Sequence, residues 1–505
     1  MKKIVCILLI ISFSLFIFSL PEHKTRVEAN SQRTWTVDDD ILNEEVDFHT
    51  IQEAINSDNV TENDTVFVYE GIYNENVVVN KSVTLIGENR ESTVIDGGGI
   101  DTVISITVNN VIVTGFSIRN SGMAPYDSGV SVERSSGSEV RSNRITNNND
   151  GVGLYYSSNN VISNNIISSN NLDGIGLYSS SSNVISGNTL SNNYDGIGSY
   201  SSNYNVVSSN IFSNNYYGIY LTFYSYNNII YHNNFDNINQ AWSDFTSVWE
   251  SNGEGNYWVD YTGQDLDEDG IGDTPYAVNT RNRDSHPLMG RFSDFGVTLS
   301  GETYNISLIC NSTVSDSRFE IGRETGNKMV LLNVTGEDGT VGFCRIGLPV
   351  KLMDYPLIVL VDAEEIVPTL LGVSNEEQVH LYFTYVHSSR TVTVISSKTL
   401  LLYNALFDEY VKLQGYFFDL NSTYVELLYD YDTLLGNYTQ LRENYRTLNS
   451  SYQEYLAVYS EGAQNMRNLM YIFAAATAVF LATTVYLSKH ERTGATEETK
   501  GLMEA

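Results

Sequence analysis

A motif that returns about every 22 residues constrains this chain more than any other feature of its sequence. Three copies are almost identical: Asp150-Gly151-Val152-Gly153-Leu154-Tyr155, Asp173-Gly174-Ile175-Gly176-Leu177-Tyr178 and Asp195-Gly196-Ile197-Gly198-Ser199-Tyr200. The first glycine of the repeat falls at 129, 151, 174, 196 and 218. This period is too short for two helices, and one repeat cannot bury a core alone, so neighbouring repeats must stack. The sequence therefore predicts a right-handed parallel β-helix with one repeat per coil, in preference to a disordered Asn/Ser-rich segment.

Stacking also explains which residue types recur. Strands of neighbouring coils lie about 4.8 Å apart, so equivalent side chains form ladders along the stack. We expect two inward aliphatic columns, formed by Val152, Ile175, Ile197 and Ile219, and by Leu154, Leu177 and Leu221. We also expect a column of asparagines in a turn, where amide side chains bond along the stack: Asn143, Asn165, Asn188, Asn210 and Asn234.

The charge balance limits the partners of the protein. The chain has 28 Lys and Arg residues against 61 Asp and Glu residues, which gives a net charge of −33 at pH 7. Because such a surface repels a phosphate backbone, nucleic-acid binding is disfavoured. The same surface suits cations, neutral polymers or a salty exterior.

Both ends of the chain carry apolar runs that predict export and membrane anchoring. Residues 1–29 have the basic start, apolar run and small residue of a secretory signal peptide, with an uncleaved anchor as the alternative. Residues 469–487 carry no charge and are long enough to cross a bilayer once. We therefore expect a transmembrane helix within residues 466–488, a cytoplasmic tail at 489–505, and the bulk of the chain outside the cell.

Cysteines and glycosylation sequons fit an oxidising exterior. After removal of the signal, Cys310 and Cys344 remain, an even number that predicts a disulfide, with two buried free thiols as the alternative. The candidate glycosylation sites are the asparagines of Asn-x-Ser/Thr sequons: Asn59, Asn63, Asn80, Asn305, Asn311, Asn333, Asn421, Asn437 and Asn449. The region from 81 to 304 contains no sequon, as expected if the asparagines of the coils are structural.

The region around the repeats carries the residues of a known family. Thr50-Ile51-Gln52-Glu53 has the form of a capping box, so a short helix is predicted to cover the open end of the stack. The shared motifs are Phe48-x-x-Ile51-x-x-Ala54-Ile55, Val68-Tyr69-x-Gly71-x-Tyr73-x-Glu75, Asn80-Lys81-x-Val83-x-Leu85-Ile86-Gly87 and Asn256-Tyr257-Trp258. Over about residues 47–292 the chain resembles the NosD-like group of carbohydrate-binding and sugar-hydrolase β-helix proteins, in a form associated with archaeal cell-surface proteins.

This resemblance implies a fold more strongly than an activity. The family name implies copper delivery, but the histidines are scattered, and no Met or Cys cluster in the β-helix offers soft ligands. The histidines in question are His49, His232, His286, His380 and His387. The Asn-Thr-Asp, Gly-His-Gly and Arg-Ile-Lys signatures of related hydrolases are missing. A role as a copper-site maturation factor is therefore disfavoured, and binding is favoured over catalysis.

The repeat itself supplies candidate ligand-binding residues: Tyr126, Asp127, Glu133, Tyr155, Tyr178, Tyr200, Asp150, Asp173 and Asp195. The last three form a carboxylate ladder just before each glycine. Strand parity directs the tyrosines of the repeat outward in register, and an insertion of about seven residues places Tyr126 and Asp127 above them. Flat rings stack on sugar faces, so a carbohydrate-binding wall is one interpretation. The other is that the aspartates form turns and the tyrosines make a stabilising aromatic ladder.

An acidic loop after the coils predicts a calcium site. Its candidate ligands are Asp265, Asp267, Asp269 and Asp273 through their carboxylates and Ile271 through its backbone carbonyl. Tyr276 stands where an EF-hand has a bidentate glutamate, so the loop is not an EF-hand, and Asp284 is a candidate for the missing ligand. Calcium here is expected to be structural, clamping a Trp/Asp-rich cap at residues 241–292. The alternative is a solvated acidic turn.

Two further segments complete the predicted architecture. Residues 293–397 alternate as longer strands separated by turns, which predicts a small immunoglobulin-like β-sandwich. Residues 398–465 carry an aromatic residue every seven positions and a leucine three residues later. This pattern predicts a self-associating coiled-coil stalk, with a helix folded back on the sandwich as the alternative.

The predicted protein is therefore mainly β and anchored in the membrane. A parallel β-helix with an N-terminal cap at residues 30–240 is followed by the calcium-type cap, the sandwich, the coiled-coil helix and one transmembrane helix. The predicted function is display or adhesion through binding of extracellular carbohydrate or envelope components. A surface-tethered polysaccharide lyase or glycoside hydrolase is the alternative.

Overall fold

The computed structural model of the chain describes residues 32–396, 406–407, 409–414, 416, 428–458, 470–486 and 488. The described chain is mainly β and contains a β-solenoid of about eight turns. It divides into two compact units. The first comprises the described residues up to 205 together with 214–225, and the second comprises residues 206–213 and those from 226 onward.

The first unit contains three parallel sheets, in which successive strands come from successive coils. Sheet 1 contains β1 (Thr34–Val37), β2 (Thr65–Val68), β5 (Thr84–Gly87), β8 (Ile112–Thr114), β11 (Glu139–Arg141), β14 (Val161–Ser163) and β17 (Val184–Ser186). Sheet 2 contains β3 (Gly71–Tyr73), β6 (Thr93–Asp96), β9 (Ser117–Arg119), β12 (Arg144–Thr146), β15 (Ile166–Ser168) and β18 (Thr189–Ser191). Sheet 3 contains β4 (Val77–Val79), β7 (Ile104–Ile106), β10 (Ser128–Glu133), β13 (Asp150–Tyr155), β16 (Asp173–Tyr178), β19 (Asp195–Tyr200) and β22 (Tyr217–Thr222).

The register of sheet 3 confirms one coil per repeat. Strand β10 pairs with β13 so that Ser128 lies opposite Asp150 and Val130 opposite Val152, which makes the glycines between them neighbours along the stack. The two inward aliphatic columns are present and buried. In the second column Ser199 lies opposite Leu177 and is buried as well.

A short helix, α1 (Ile51–Asn56), packs its apolar face against the first coils. The Thr50 hydroxyl accepts a hydrogen bond from the backbone N–H of Glu53 at 3.2 Å, as the capping-box pattern predicts. The two amides before it, of Ile51 and Gln52, donate to the carboxylate of Glu75. A glutamate of one family motif therefore satisfies the free amides of the helix start, where negative charge is also favoured by the helix dipole.

Asparagine ladders run through the turns of the first unit. Asn165 is typical: its Oδ1 accepts from the backbone N–H of Asn143 at 3.0 Å and from the Nδ2 of Asn143 at 3.2 Å. The ladders are Asn143, Asn165 and Asn188; Asn148, Asn170, Asn193 and Asn215; and Asn160, Asn183 and Asn205. The residue before a ladder asparagine has positive φ, as at Asn164 (φ 56°), so the turn itself aims the amide along the stack.

The second unit continues this pattern with one correction. Asn210 donates its backbone N–H to the Oδ1 of Asn233 at 3.0 Å, so the column contains Asn233 and not the predicted Asn234. Asn234 instead begins a strand, and its side chain bonds the backbone N–H and carbonyl of Phe292. The wrong assignment arose because two asparagines are adjacent, and only the one that follows the positive-φ residue, His232, aims into the column.

The coil and cap strands of the second unit are β20 (Val206–Ser208), β21 (Ile211–Ser213), β23 (Ile229–Tyr231), β24 (Asn234–Asp236), β25 (Asn239–Ser243), β26 (Tyr257–Trp258), β27 (Tyr276–Ala277) and β28 (Arg283–Asp284). Four stacked rings form the centre of this region. Phe212, Phe235, Trp258 and Tyr276 follow one another with centroids 4.9, 4.4 and 4.3 Å apart. Large buried rings of this kind contribute most of the apolar area that a small cap can bury.

Two five-stranded antiparallel sheets follow the cap. One contains β29 (Arg291–Leu299), β30 (Glu302–Cys310), β33 (Val341–Pro349), β37 (Gln378–Val386) and β36 (Thr369–Leu370). The other contains β31 (Thr313–Ile321), β32 (Lys328–Thr335), β38 (Arg390–Ser396), β34 (Leu357–Val361) and β35 (Glu364–Ile366). Alternate residues of both sheets, such as Ile306, Leu308, Val330 and Leu332, form one buried core. The five strands read from the alternating pattern match β30, β32, β34, β37 and β38.

The C-terminal region is described in part. Helix α2 (Leu428–Val458) lies inside the predicted stalk, and residues 470–486 are helical. Within the described residues, no helix combines the length and the apolarity that crossing a bilayer requires. Both ends of the predicted span, residues 469 and 487, and the predicted signal peptide lie outside the described residues.

Candidate functional site

The outer face of sheet 3 brings the repeated polar residues into columns. Ser128, Asp150, Asp173, Asp195 and Tyr217 occupy equivalent positions in successive strands. Glu133, Tyr155, Tyr178, Tyr200 and Thr222 form a second column five residues further along. The register therefore confirms that Glu133 and Thr222 flank the tyrosine column.

Glycines between these columns make room for the tyrosine rings. A methyl group at Gly176 would lie 2.6 Å from the ring of Tyr178, and one at Gly153 would lie 2.4 Å from the Tyr155 hydroxyl. Because this column has no side chains, each ring lies back across its own strand. The column ends at Tyr220, which lies opposite Gly198.

The three repeated tyrosines stack on one another rather than on open solvent. Ring centroids are 5.0 Å apart from Tyr155 to Tyr178 and 5.1 Å apart from Tyr178 to Tyr200, with planes tilted by 12° and 4°. Tyr155 is only 9% exposed. The rings lie in register on the outer face, as strand parity predicts, and the glycine column lets them fold over the sheet. The alternative of an aromatic ladder describes their packing.

The predicted overhang is present above the first of these rings. Tyr126 is exposed and meets Tyr155 edge-on, with centroids 5.3 Å apart, and its backbone carbonyl accepts from the Tyr155 hydroxyl. The carboxylate of Asp127 accepts from the backbone N–H of Ala124 at 2.8 Å, which closes the turn. Asp127 is therefore a turn residue, and Tyr126 is the exposed ring of the insertion.

The carboxylate ladder lies beneath the rings and is buried. The Tyr178 hydroxyl donates to Asp150 at 3.2 Å and to Asp173 at 3.1 Å. Burial raises the pKa of Asp150 to about 6, although hydrogen bonds oppose the rise. Burial and the neighbouring carboxyls of Asp150 and Asp195 raise the pKa of Asp173 well above its usual value.

The ladder opens into a cleft at its last carboxylate. This tyrosine cleft has a volume of about 350 Å³ and is lined by Leu172, Asp173, Tyr178, Tyr194, Asp195, Tyr200, Tyr216, Tyr217 and Tyr220. Its size falls within the range of sites for small ligands. Of all the predicted site residues, the cleft brings together Asp173, Asp195, Tyr178 and Tyr200.

Repetition builds the walls of the cleft. Leu172, Tyr194 and Tyr216 stand at equivalent positions of the turn before sheet 3, because the backbone N–H of Tyr194 donates to Leu172 and that of Tyr216 donates to Tyr194, both at 2.9 Å. The Tyr194 and Tyr216 rings stack with centroids 5.0 Å apart. The aspartate column forms the floor, and Tyr178 and Tyr200 form the opposite wall.

Asp195 has an unusual position on this floor. It is 2% exposed, and among the described residues its Oδ1 has no hydrogen-bond partner. The next position of the column is Tyr217, so the ladder has no further carboxyl. Burial raises the pKa of Asp195 to about 7. Asp195 therefore offers the cleft an acceptor when ionised and a donor when protonated.

The sequence analysis missed four of the lining tyrosines, namely Tyr194, Tyr216, Tyr217 and Tyr220. A signal for two of them was present, because Tyr194 and Tyr216 directly precede equivalent positions of the repeat. The other two stand where the repeat departs from its own pattern, with tyrosine in place of aspartate and glycine. The cleft is therefore located by the positions where the sequence differs from the repeat, not by the repeated residues.

The acidic loop brings three of its predicted ligands together. Asp265, Asp267 and Asp269 place carboxylate oxygens within 4.8 Å of one another, and this is the group within the described chain that could hold a metal ion. Both oxygens of Asp265 already accept from backbone amides of the loop. The Asp273 carboxylate accepts from the Leu266 amide at 2.6 Å, and the Ile271 amide donates to Asp269. Clustered carboxylates fit the demand of calcium for oxygen ligands.

Two side chains near this loop differ from expectation. Asp284 is buried, and its carboxylate accepts from the Asn256 amide at 2.7 Å and from the Trp258 indole at 2.9 Å. It ends an asparagine ladder and does not join the acidic group, so its proposed ligand role was wrong. Arg345 of β33 donates to the backbone and the carboxylate of Asp269, at 2.8 and 3.1 Å.

The two predicted disulfide partners lie side by side. Cys310 and Cys344 are opposite each other in β30 and β33, both are buried, and their sulfurs are 2.7 Å apart as free thiols. The Tyr385 hydroxyl contacts both sulfurs. The disulfide stays a prediction, for which the strand register supplies the proximity.

Most candidate glycosylation sites are accessible. The asparagines at 59, 63, 80, 305, 311, 437 and 449 are exposed, and Asn333 is half-buried. Asn421 lies outside the described residues. Exposure is necessary for modification but does not demonstrate it, so these sites stay predictions.

The fold and the ladders define this chain as a parallel β-helix protein with an aromatic cleft on one sheet. Residues 57–263 match the family model described as periplasmic copper-binding protein (NosD). The resemblance to NosD-like β-helix proteins inferred from the sequence is therefore confirmed over this region.

A curated relative matches a shorter part of the chain. A cell surface glycoprotein from Methanothermus fervidus is 34% identical over 107 residues, which are 21% of this chain and 17% of that protein. The chain thus spans less than a fifth of the length of the relative that it matches.

Several solved structures are similar at low identity. A pectin methylesterase from carrot has a TM-score of 0.27 at 17% identity and covers 35% of this chain and 62% of its own. An alginate lyase from Paenibacillus sp. has a TM-score of 0.29 at 16% identity and covers 46% and 89%. The Dettilon tailspike protein has a TM-score of 0.28 at 14% identity and covers 66% and 87%. Likeness at this level says nothing about activity.

Proposed function

We propose that this chain is a membrane-anchored cell-surface protein whose β-helix binds extracellular carbohydrate or envelope glycans in the tyrosine cleft. The observation that carries the proposal is the cleft itself. It combines aromatic side chains with two carboxyl groups, Asp173 and Asp195, in a concave site of about 350 Å³. Sugar rings stack on aromatic faces, and their hydroxyls need convergent hydrogen-bond partners.

Exposed rings at the mouth of the cleft support this role. Tyr194 is 54% exposed and Tyr216 is 42% exposed, whereas the floor of the site is buried. The rings of Tyr216 and Tyr217 meet at 88°, so the site presents both a face and an edge. A ligand with apolar faces and polar edges, which is the character of a sugar ring, is complementary to such walls.

Surface display is supported by the sequence and by the relative. The matching Methanothermus protein is a cell surface glycoprotein. The uncharged run at 469–487 would supply a single membrane anchor, and the signal peptide would supply export. Residues at heptad positions of α2, including Tyr438, Leu441, Tyr445 and Leu448, are exposed and would pair in a homo-oligomeric stalk.

A structural calcium ion completes the proposal. The carboxylates of Asp265, Asp267, Asp269 and Asp273 and the carbonyl of Ile271 would hold it. Arg345 donates to Asp269, so a bound cation and this arginine would share that carboxylate. A single cation held there would clamp the acidic loop within the second unit.

Binding is tested on the full-length chain with a panel of neutral and charged cell-wall oligosaccharides, measured by calorimetry. Tyr194→Asn combined with Tyr216→Asn removes the exposed wall and is expected to weaken binding at least tenfold, since base or sugar stacking on one ring is worth about 1–3 kcal/mol. Tyr204→Asn is the matched control, because Tyr204 is exposed but does not line the cleft. Equal binding by all three proteins would refute the site.

A tethered polysaccharide hydrolase or lyase is the second candidate. The raised pKa of Asp195 favours the protonated carboxyl that a general acid needs near neutral pH. Incubation of the same panel with the full-length chain, followed by assay of new reducing or unsaturated ends, separates the candidates. Retention without new ends supports binding alone, and new ends that disappear in Asp195→Asn support catalysis.

A further inference from the structure

The charge of the tyrosine cleft narrows the class of ligand that it can take. Its nine lining residues include two carboxyl groups and no lysine, arginine or histidine. We infer that the cleft selects a positively charged sugar, an ammonium-bearing glycan, over neutral sugars and uronic acids. This inference rests on the proposed carbohydrate-binding function and assigns the ligand class within it.

The first support is the unpartnered acceptor on the floor. Asp195 Oδ1 is buried and has no donor among the described residues, although a buried polar atom without a partner is costly. In the ladder the backbone N–H of Asp173 donates to Asp150 Oδ1, but the equivalent N–H of Tyr217 donates to the backbone carbonyl of Tyr194 instead. The hydroxyl groups of a sugar can donate to this oxygen, and a positive charge on the same ligand neutralises the carboxylate.

The second support is the arrangement of rings around that carboxylate. The Tyr216 and Tyr217 rings are at 88° with centroids 5.0 Å apart, and Tyr220 follows Tyr217 at 5.0 Å with a tilt of 35°. Rings set at large angles around one point form a cage whose negative faces attract an ammonium group. Recognition of quaternary ammonium ligands by aromatic cages uses the same attraction to ring faces.

Electrostatics also argues against an acidic sugar. The carboxylate of a uronic acid would enter a site that already holds Asp173 and Asp195, in a chain with a net charge of −33. Like charges in a poorly solvated site repel strongly, and the cleft contains no cation to compensate. An ammonium group would instead be attracted both by the cleft carboxylates and by the negative net charge of the chain.

The inference makes the affinity depend on pH in a defined direction. The titratable groups that face Asp195 from β16, β19, β22 and the preceding turns are Asp173, Tyr178, Tyr200, Tyr217, Tyr220, Tyr194 and Tyr216. Burial raises the pKa of Tyr178, Tyr200 and Tyr217, so these three hydroxyls stay protonated near neutral pH. Burial raises the pKa of Asp195 to about 7, so its negative charge develops between about pH 6 and pH 8. A ligand with permanent positive charge therefore binds more tightly as the pH rises through this range.

The test uses three tetrasaccharides of equal length with the full-length chain: an N-trimethylated chito-oligosaccharide, its neutral N-acetylated counterpart and an oligogalacturonate. Calorimetry at pH 6 and pH 8 is expected to give the trimethylated ligand the highest affinity, increasing about tenfold between the two pH values. Asp195→Asn is expected to remove that increase, and the neutral ligand is expected to show no comparable increase with either protein. Asp101→Asn, an exposed carboxylate outside the cleft, is the matched control.

The possible outcomes separate the ammonium assignment from the carbohydrate-binding proposal. Equal affinity for the trimethylated and neutral ligands, or preference for the oligogalacturonate, overturns the ammonium assignment but leaves carbohydrate binding intact. An affinity increase between pH 6 and pH 8 that persists in Asp195→Asn also overturns it, because the charge of this carboxyl would then not be what the ligand senses. Failure of all three ligands to bind any variant contradicts the proposed function itself.

Discussion

Buried carboxyl groups occur in both units of this protein, but their electrostatic surroundings are opposite. In the first unit, Asp195 lies on the floor of the tyrosine cleft without a cation beside it, and burial raises its pKa to about 7. In the second unit, burial of Glu254 is outweighed by a hydrogen bond from His232 and by the charge of Arg345, so its pKa falls to about 2. The residue types are alike, and the difference is the presence of a partner.

Glu254 is therefore a structural acid, whereas Asp195 is available to bind a ligand. Arg345 is 3% exposed, and its guanidinium bonds Glu254 at 2.6 Å and Asp269 at 3.1 Å, which joins the cap to the sandwich inside the second unit. The charges of Arg345 and its two acids compensate one another, so this site needs no charged ligand. The acid in the cleft has only aromatic neighbours and another carboxyl, so its charge remains to be compensated.

The largest effect is expected from Arg345→Met. The substitution removes the guanidinium from two partly buried acids, Asp269 and Glu254, and leaves Glu254 with His232 alone. Breaking a buried pair in this way costs about 3–5 kcal/mol. Unfolding followed by hydrogen exchange of the sandwich strands measures the loss, because a chain with several units does not unfold in one step.

Arg318→Met is the matched control for that experiment. Arg318 also contacts two acids, Asp316 and Glu320, but all three side chains are about half exposed. Exposed pairs contribute less than about 1 kcal/mol, so the control is expected to stay close to the parent protein. Equal stability of both variants would show that Arg345 is dispensable, and the claim that it compensates Glu254 in the second unit would fail.

The next effect tests how the coils of the first unit hold together. Asn165→Ala removes an acceptor for two bonds from Asn143 and two bonds that Nδ2 of Asn165 donates to Val140 and Asn188. The neighbouring polar groups remain buried, and unsatisfied groups cost about 1–3 kcal/mol each, so a loss of about 2–4 kcal/mol is expected. Asn171→Ala, an exposed turn asparagine, is the control. Hydrogen exchange in sheet 1 and sheet 2 should rise in the first variant and not in the second.

A smaller effect is expected from calcium. Added calcium at about one hundred times its dissociation constant should stabilise the second unit by about 2.7 kcal/mol if the acidic loop binds it. Asp267→Asn should abolish this gain, because it removes one of the three clustered carboxylates. Glu324→Gln, an exposed acid in a turn of the sandwich, should retain it. If neither calcium nor a chelator changes the melting temperature of the parent protein, the calcium proposal is contradicted.

Much of the first unit could be predicted because repetition carries its information. The spacing of glycines and β-branched residues gave the register of sheet 3, and the capping box gave α1. Spacing alone could not predict that Asn233, and not Asn234, belongs to the asparagine column, because this depends on which residue adopts positive φ. Likewise, no local pattern indicates that Glu75 caps α1 from 24 residues away.

The site was harder to predict than the fold for a physical reason. Parity placed the tyrosines on the correct face of the strand, but it could not show that the glycine column lets their rings fold over the sheet. The cleft forms where Tyr217 and Tyr220 replace the aspartate and glycine of the repeat. Periodicity reports the positions that recur in every coil. It therefore predicts the ladder but not the coil at which the ladder ends.

The smallest effect is expected from Asp195→Asn, and it tests the comparison most directly. An acid whose folded pKa is raised to about 7 contributes stability that is fully present below its unfolded pKa near 4 and is lost as the pH rises to about 7. Between pH 6 and pH 8 the parent protein should therefore lose about 1–2 kcal/mol relative to Asp195→Asn, which cannot ionise at this position.

The same pH change should leave the second unit untouched at Glu254. Its folded pKa lies below its unfolded value, so its contribution is present above about pH 4.5 and is lost only as the pH falls through about 2. Hydrogen exchange at pH 6 and pH 8, corrected for the intrinsic rate, should thus show a change at β19 and β22 in the parent protein alone. If Asp195→Asn and the parent protein respond identically, Asp195 is not an uncompensated acid, and the contrast between the two units fails.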